Sequence, residues 1–143
     1  MSTIPSWIPF ALGSAFFAAL TAFFGKLGVA GVNSNMATLI RTAVIAAVTL
    51  SIVLSRSEWQ PLGSIPQRSW LWLVLSGVVS GLSWLCYYRA LQLGPISVVA
   101  PVDKLSVAIA ILLGVFILGE ALTWQVATGA GLIILGTIVI IAF

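Results

Sequence analysis

The chain has 143 residues, of which 61% are hydrophobic and only 6% are charged. In soluble domains, roughly 45–50% of the residues are hydrophobic and about 25% are charged. Six basic and three acidic side chains cannot cover a water-facing surface, whereas a bilayer-embedded protein needs few charges. The composition therefore excludes a soluble enzyme and a disordered chain. It also excludes a nucleic-acid binder, since no basic cluster is present to neutralise a phosphate backbone.

The residue types that build most catalytic and metal sites are scarce. The chain has no histidine and one cysteine, which excludes Ser-His-Asp and Cys-His catalysis, a His-ligated metal and an intrachain disulfide. No Gly-rich phosphate loop is present, which argues against direct use of ATP or NAD. We therefore predict no metal, no cofactor and no enzymatic activity.

Five apolar runs are each long enough to cross a bilayer, which takes about 20 residues. In chain order, they are residues 8–27, 36–54, 69–88, 96–118 and 122–142. The first run lacks the preceding Lys or Arg of a signal peptide and is interpreted as a span. The pattern predicts an all-α integral membrane protein, in which a bundle of five transmembrane helices forms a single domain over residues 1–143.

The aromatic residues support five crossings. An odd number places the N-terminus, the loop between spans two and three, and the loop between spans four and five on one side of the membrane. Trp and Tyr favour the headgroup level. The aromatics expected on the N-terminal side are Trp7, Trp59, Trp70, Trp72 and Trp124, and those toward the other side are Trp84, Tyr87 and Tyr88.

The fourth span carries two charges inside the membrane. Asp103 and Lys104 lie eight and nine residues beyond Pro95, roughly 12–14 Å deep at the helical rise per residue. Because each such charge costs about 2.5–3.5 kcal/mol at the bilayer centre, both must face protein or water. Pro101 removes a backbone donor and frees the carbonyl of Ser97, so it predicts a broken or kinked helix, as in many carriers with a midplane site.

Two roles for this charge pair stay open. As a substrate or ion site, Lys104 would attract a carboxylate or phosphate, and Asp103 would bind a substrate amine or take up a proton. As a structural element, Asp103 would neutralise Arg41, Arg89 or Lys104 and hold the bundle together.

Further candidate pathway residues lie in spans two and three. Arg41 lies about five residues into span two, where it either lines the same cavity as Lys104 or extends back to the lipid headgroups. Trp84 and Tyr88 continue a stripe of small residues along span three. They either wall a cavity and stack on a substrate, with cation–π help if it carries an amine, or belong to the interfacial aromatic belt.

Three other charges favour structural roles. Lys26 ends span one and Arg89 ends span three, so we expect both to anchor the helices at the interface rather than to contact a ligand. Glu120 precedes span five, where a carboxylate favours the N-terminal helix dipole, and we expect it to act as a cap and turn residue.

Several motifs together resemble an EamA domain, the repeat unit of the drug/metabolite transporter superfamily. They are the segments 82–94 and 100–106, the Gly119-Glu120 pair and Gly129-Ala-Gly131. The resemblance is strongest to small bacterial and archaeal members with one five-helix domain. The Pro-x-Asp-Lys-x-Ser run from Pro101 to Ser106 is characteristic of them, and it adds Ser106 to the candidate pathway residues.

The resemblance implies a secondary carrier that works by alternating access, often as an exporter. Larger members join two such domains in inverted orientation, with ten helices around a central cavity. A chain with one domain therefore implies a homodimer, and an antiparallel dimer would match the ten-helix design. The Lys and Arg residues in flanks and loops are about equal on the two sides, which permits insertion both ways. The expected location is a prokaryotic inner membrane.

The charges also bear on the substrate. The sister family of small multidrug exporters has four helices and an acidic residue in span one, whereas span one has no carboxylate here. The intramembrane charge is net positive. We therefore expect a carrier of small polar metabolites, anionic or zwitterionic, with Asp103 as the candidate for proton coupling. The alternative is a non-transporting membrane subunit whose intramembrane charges serve assembly.

Overall fold

Helices make up most of the computed structural model, which describes residues 5–142. In chain order, they are α1 (Ile8–Gly28), α2 (Ser34–Ser55), α3 (Gln67–Leu93), α4 (Ile96–Asp103), α5 (Leu105–Leu118) and α6 (Trp124–Ala142). A short 3₁₀ turn, Leu62–Ser64, lies before α3, and no strand occurs among the described residues. Five segments are long and apolar enough to span a membrane, with α4 and α5 together forming the fourth. The prediction of an all-α protein with five spans is confirmed.

Local capping interactions explain where several helices begin and end. The side chain of Asn33 accepts hydrogen bonds from the backbone N–H groups two and three residues ahead and so begins α2. Gly119 adopts the left-handed conformation, with φ 72°, and ends α5. The hydroxyl of Thr123 accepts a bond from the N–H of Val126 at 3.4 Å and begins α6. Glu120, the expected cap, lies in the turn before it, so Thr123 takes the capping role.

The third helix is longer than the span that hydropathy indicates. The predicted run stops at residue 88, but α3 continues to Leu93. Its last turns contain Arg, Ala, Leu and Gln, all of which favour helix, and the Gly94-Pro95 pair then ends it. Arg89 consequently lies in the last turns of α3, before the helix ends at Leu93.

The fourth span is interrupted, as expected, but beyond the proline. Pro101 lies inside α4, and the break occurs at Lys104, which joins α4 to α5 with φ −70° and ψ −9°. The N–H of Lys104 bonds to the carbonyl of Pro101 at 3.0 Å, three residues back instead of four. The proline is thus accommodated within the helix, and the chain tightens in the following turn.

The described residues fall into two packed units. In the unit formed by the chain up to Ala22 and from Gly94 onward, α4 and α5 each pack against α6. In the unit Phe23–Leu93, α2 packs against α3, and Val29 and Leu91 are fully buried. Large apolar side chains on every span are otherwise exposed, as expected where lipid tails surround the helices.

Candidate functional site

The charge pair of the fourth span lies at the break between α4 and α5. The Nζ atom of Lys104 is 3.3 Å from Oδ2 of Asp103, and the two side chains are 55% and 38% exposed. Adjacent residues on a regular helix point about 100° apart, so the long Lys104 side chain must turn back to make this contact. An exposed ion pair is worth only about 0–1 kcal/mol in water, and an incoming ligand could therefore replace it.

The break is tied to the last helix by a hydrogen bond. The single hydroxyl proton of Thr137 is shared between the carbonyl of Ile133 in its own helix, at 2.8 Å, and the carbonyl of Pro101, at 3.3 Å. Thr137 is buried. This bond holds the end of α4 against α6 beside the charge pair. Ser106 is exposed just after the break and makes no hydrogen bond to the described residues.

Arg41 of α2 and three aromatic residues of α3 form a cluster. The Cζ atom of Arg41 lies 3.3 Å from the ring centroid of Trp84. The centroid of the Trp84 ring lies 5.8 Å from that of the tilted Tyr88 ring and 5.5 Å from that of Tyr87, which Trp84 meets edge-on. Tyr88 is 5% exposed, and α1 approaches it closely at Gly25. The cation on the Trp84 face is therefore the protein's own Arg41, and stacking of a substrate amine there stays a prediction.

The contact that positions the guanidinium of Arg41 within the described residues is its stacking on the Trp84 ring. Among residues 5–142, no acceptor makes a hydrogen bond to it, although Arg41 lies inside a membrane span. A guanidinium has five N–H donors in its plane, and a stacked ring covers its face but leaves its edge open. This edge has the geometry to bind a carboxylate or phosphate through two parallel hydrogen bonds.

A second polar network joins the ends of α1 and α3. Lys26 donates to the carbonyl of Leu91, and Arg89 donates to Oε1 of Gln92 at 3.1 Å. The Nε2 atom of Gln92 donates to two carbonyls of the loop after α1, at 3.3 and 2.6 Å. Sequence reasoning missed Gln92 because the apolar run ends before it. The helix-favouring residues between Tyr88 and Gly94 were the available signal.

The structure thus brings the predicted residues into two clusters, each within one unit. Asp103 and Lys104 form one, and Arg41, Trp84 and Tyr88 form the other. No group of three metal-binding side chains occurs within the described range 5–142.

Comparison with known proteins gives a match over almost the whole chain. Residues 5–142 match the EamA-like transporter family. A protein from a Sinorhizobium species is 49% identical over 138 residues, which cover 96% of this chain and 98% of the relative. That protein is described as an "Uncharacterized transporter in cobO 3'region". No solved structure matches the chain.

Proposed function

Since the chain belongs to the EamA-like transporter family and is a membrane transporter, we propose that it exports small anionic or zwitterionic metabolites by alternating access. The proposed working unit is a homodimer in a prokaryotic inner membrane, and the proposed substrate site includes Asp103 and Lys104. The observation that carries this proposal is the exposed charge pair at the break in the fourth span.

Exposure of this pair at membrane depth has a clear physical consequence. Asp103 and Lys104 lie inside the span Ile96–Leu118, and contact with lipid would cost about 2.5–3.5 kcal/mol for each charge. The face that bears them must therefore adjoin water or protein. A water-filled pathway completed by a second copy of the chain would place both water and protein beside this face. Irregular backbone inside a membrane is tolerated where it lines such a cavity.

The charges of the two clusters support an anionic or zwitterionic substrate. The membrane spans carry two cations at these clusters, Lys104 and Arg41, and one carboxylate, Asp103, so the intramembrane charge is net positive. At the charge pair, Lys104 would bind the carboxylate of a zwitterion and Asp103 its amine. The open edge of Arg41, in the other unit, separately suits a carboxylate or phosphate. Proton uptake by Asp103 is the proposed means of coupling transport to the proton gradient.

The proposed dimer is antiparallel. Support comes from the near-equal distribution of Lys and Arg residues in the flanks and loops of the five spans. Reporter domains fused after Phe143 should be found on both sides of the membrane. Detection on one side alone would contradict dual insertion but would leave transport by a parallel dimer open.

The test of transport is flux in proteoliposomes. Vesicles containing the purified protein would be loaded with mixed amino acids and organic acids under an imposed pH gradient. Lys104→Ala should abolish the flux, whereas Arg56→Ala, which removes an exposed loop cation, should retain it. Equal flux from the two variants would contradict a role for Lys104. A folded wild-type dimer without flux, or a Lys104→Ala variant that fails to assemble, would favour the alternative of a membrane subunit with charges for assembly.

A further inference from the structure

A separate pocket lies at one end of α1 and α3, within the unit Phe23–Leu93. Its volume is about 400 Å³, and it opens between the last turn of α1, the loop that follows and the last turns of α3. Ligand pockets commonly have volumes of about 300–1,000 Å³, so this one is large enough for a small ligand or a lipid headgroup.

The pocket is positively charged. Lys26 and Arg89 both line it, and no Asp or Glu occurs among its lining residues. Lys26 donates to the carbonyl of Leu91, and Arg89 donates to the neutral amide oxygen of Gln92. A neutral acceptor positions a cation without cancelling its charge. Arg89 is exposed and uses one of its five N–H donors in this bond, which leaves the others to reach a ligand.

Gln92 holds the pocket in shape. Its amide nitrogen donates to the carbonyls of Val29 and Val32, and its amide oxygen accepts from Arg89. The loop after α1 is thereby fixed to the end of α3, with Gly31 in the left-handed conformation at φ 76°. A cation that is positioned before binding loses less conformational entropy when a ligand arrives.

The pocket lies where oxyanions are found in a membrane. Lys26 lies in the last turn of α1 and Arg89 in the last turns of α3, so both lie near the ends of membrane spans, where lipid headgroups are expected. Basic pockets between transmembrane helices are known to take anionic headgroups. A carboxylate or phosphate in the open edge of an arginine also gives charge-assisted hydrogen bonds.

We propose that this pocket is a phosphate-binding site at the membrane surface, formed by Arg89 and Lys26 and distinct from the site at Asp103 and Lys104. Its ligand is a phosphate oxyanion, carried either by an acidic phospholipid or by a soluble phosphate compound. The site does not depend on the proposed transport function, because its charge and shape come from the ends of α1 and α3 alone.

The test is a binding titration on the purified protein in phosphatidylcholine nanodiscs. The probes are a short-chain phosphatidylglycerol and inorganic phosphate. Arg89→Gln should raise the Kd of the bound probe about tenfold or more, the effect of one lost charge-assisted hydrogen bond. Arg56→Gln, an equal charge change in an exposed loop, should leave the Kd unchanged.

Competition between the two probes shows whether the bound phosphate belongs to a lipid or to a soluble compound. Phosphatidylglycerol binding that phosphate does not displace supports a lipid site, and binding of both supports a soluble phosphate ligand. Lys26→Gln should weaken binding in the same direction, which provides a second variant if Arg89→Gln does not fold. The proposal is overturned if neither probe binds the wild type, or if binding survives in both pocket variants as it does in Arg56→Gln.

Discussion

The contact between Arg41 and Trp84 makes a measurable prediction about stability. The guanidinium carbon lies 3.3 Å from the ring centroid, closer than the limit of about 6 Å for a cation–π interaction. Arg41→Gln removes the cation and Trp84→Leu removes the ring. If the two side chains stabilise each other, the double variant should lose less free energy of unfolding than the sum of the single variants.

The expected coupling energy is about 1–2 kcal/mol. Cation–π pairs contribute about 0.5–1 kcal/mol at exposed sites and about 2 kcal/mol or more when desolvated. Arg41 is partly exposed, but it lies inside a membrane span and has no hydrogen-bond acceptor among residues 5–142. This intermediate environment places the contact between the two limits.

The assay is a double-mutant cycle in mixed micelles, with reversible denaturation by SDS followed by circular dichroism. Arg56, fifteen residues further along the chain than Arg41 and beyond the end of α2, gives the matched control, roughly 22 Å away at helical rise. Arg56→Gln and Trp84→Leu should be additive within about 0.3–0.5 kcal/mol. If the coupling energy between Arg41 and Trp84 is also no larger than about 0.3–0.5 kcal/mol, the stacking contact is refuted. The open edge of Arg41 that is inferred from this contact is then refuted as well.

Two other substitutions test the packing by the same unfolding measurement. Thr137→Val should destabilise the protein by about 0.6–1.7 kcal/mol through loss of its bond across helices. Thr128→Val, whose hydroxyl bonds only within its own helix at 2.7 Å, should cost less; equal losses would show that the cross-helix bond contributes nothing. Gly25→Leu should cost about 1–3 kcal/mol, because a Cβ there would lie 3.3 Å from the Tyr88 hydroxyl. Gly13→Leu enters open space and should cost little; similar losses at both glycines would contradict this close approach.

The number of spans could be predicted from the sequence because it depends on composition. Lipid requires each spanning segment to satisfy its own backbone, and a run of about 20 apolar residues does so as a helix. The end of α3 could not be predicted in this way. Hydropathy falls after Tyr88, but helix propensity does not, and the helix runs on to Leu93. Arg89 and Gln92 therefore join a hydrogen-bonded network instead of a loop.

The candidate residues could be named individually, but not their partners. The sequence marks Arg41 as a charge inside an apolar span and Trp84 as an aromatic residue that continues a stripe of small residues, yet the two lie more than forty residues apart in the chain. Their contact depends on how α2 and α3 are rotated and shifted against each other. Neither helix has a strong amphipathic pattern to predict that arrangement, because lipid-facing and protein-facing positions are both apolar.

The choice of partners for the arginines has a consequence for ligand binding. Arg41 lies on an aromatic ring and Arg89 donates to an amide oxygen, so each is oriented by a neutral group. A carboxylate would orient an arginine equally well, but an incoming anion would then have to displace it against a charge-assisted bond. Neutral partners keep the positive charge available. Lys104 differs from the two arginines because it is paired with a carboxylate, Asp103. This ion pair is exposed, so a zwitterion can bind Lys104 through its carboxylate and Asp103 through its amine at the same time.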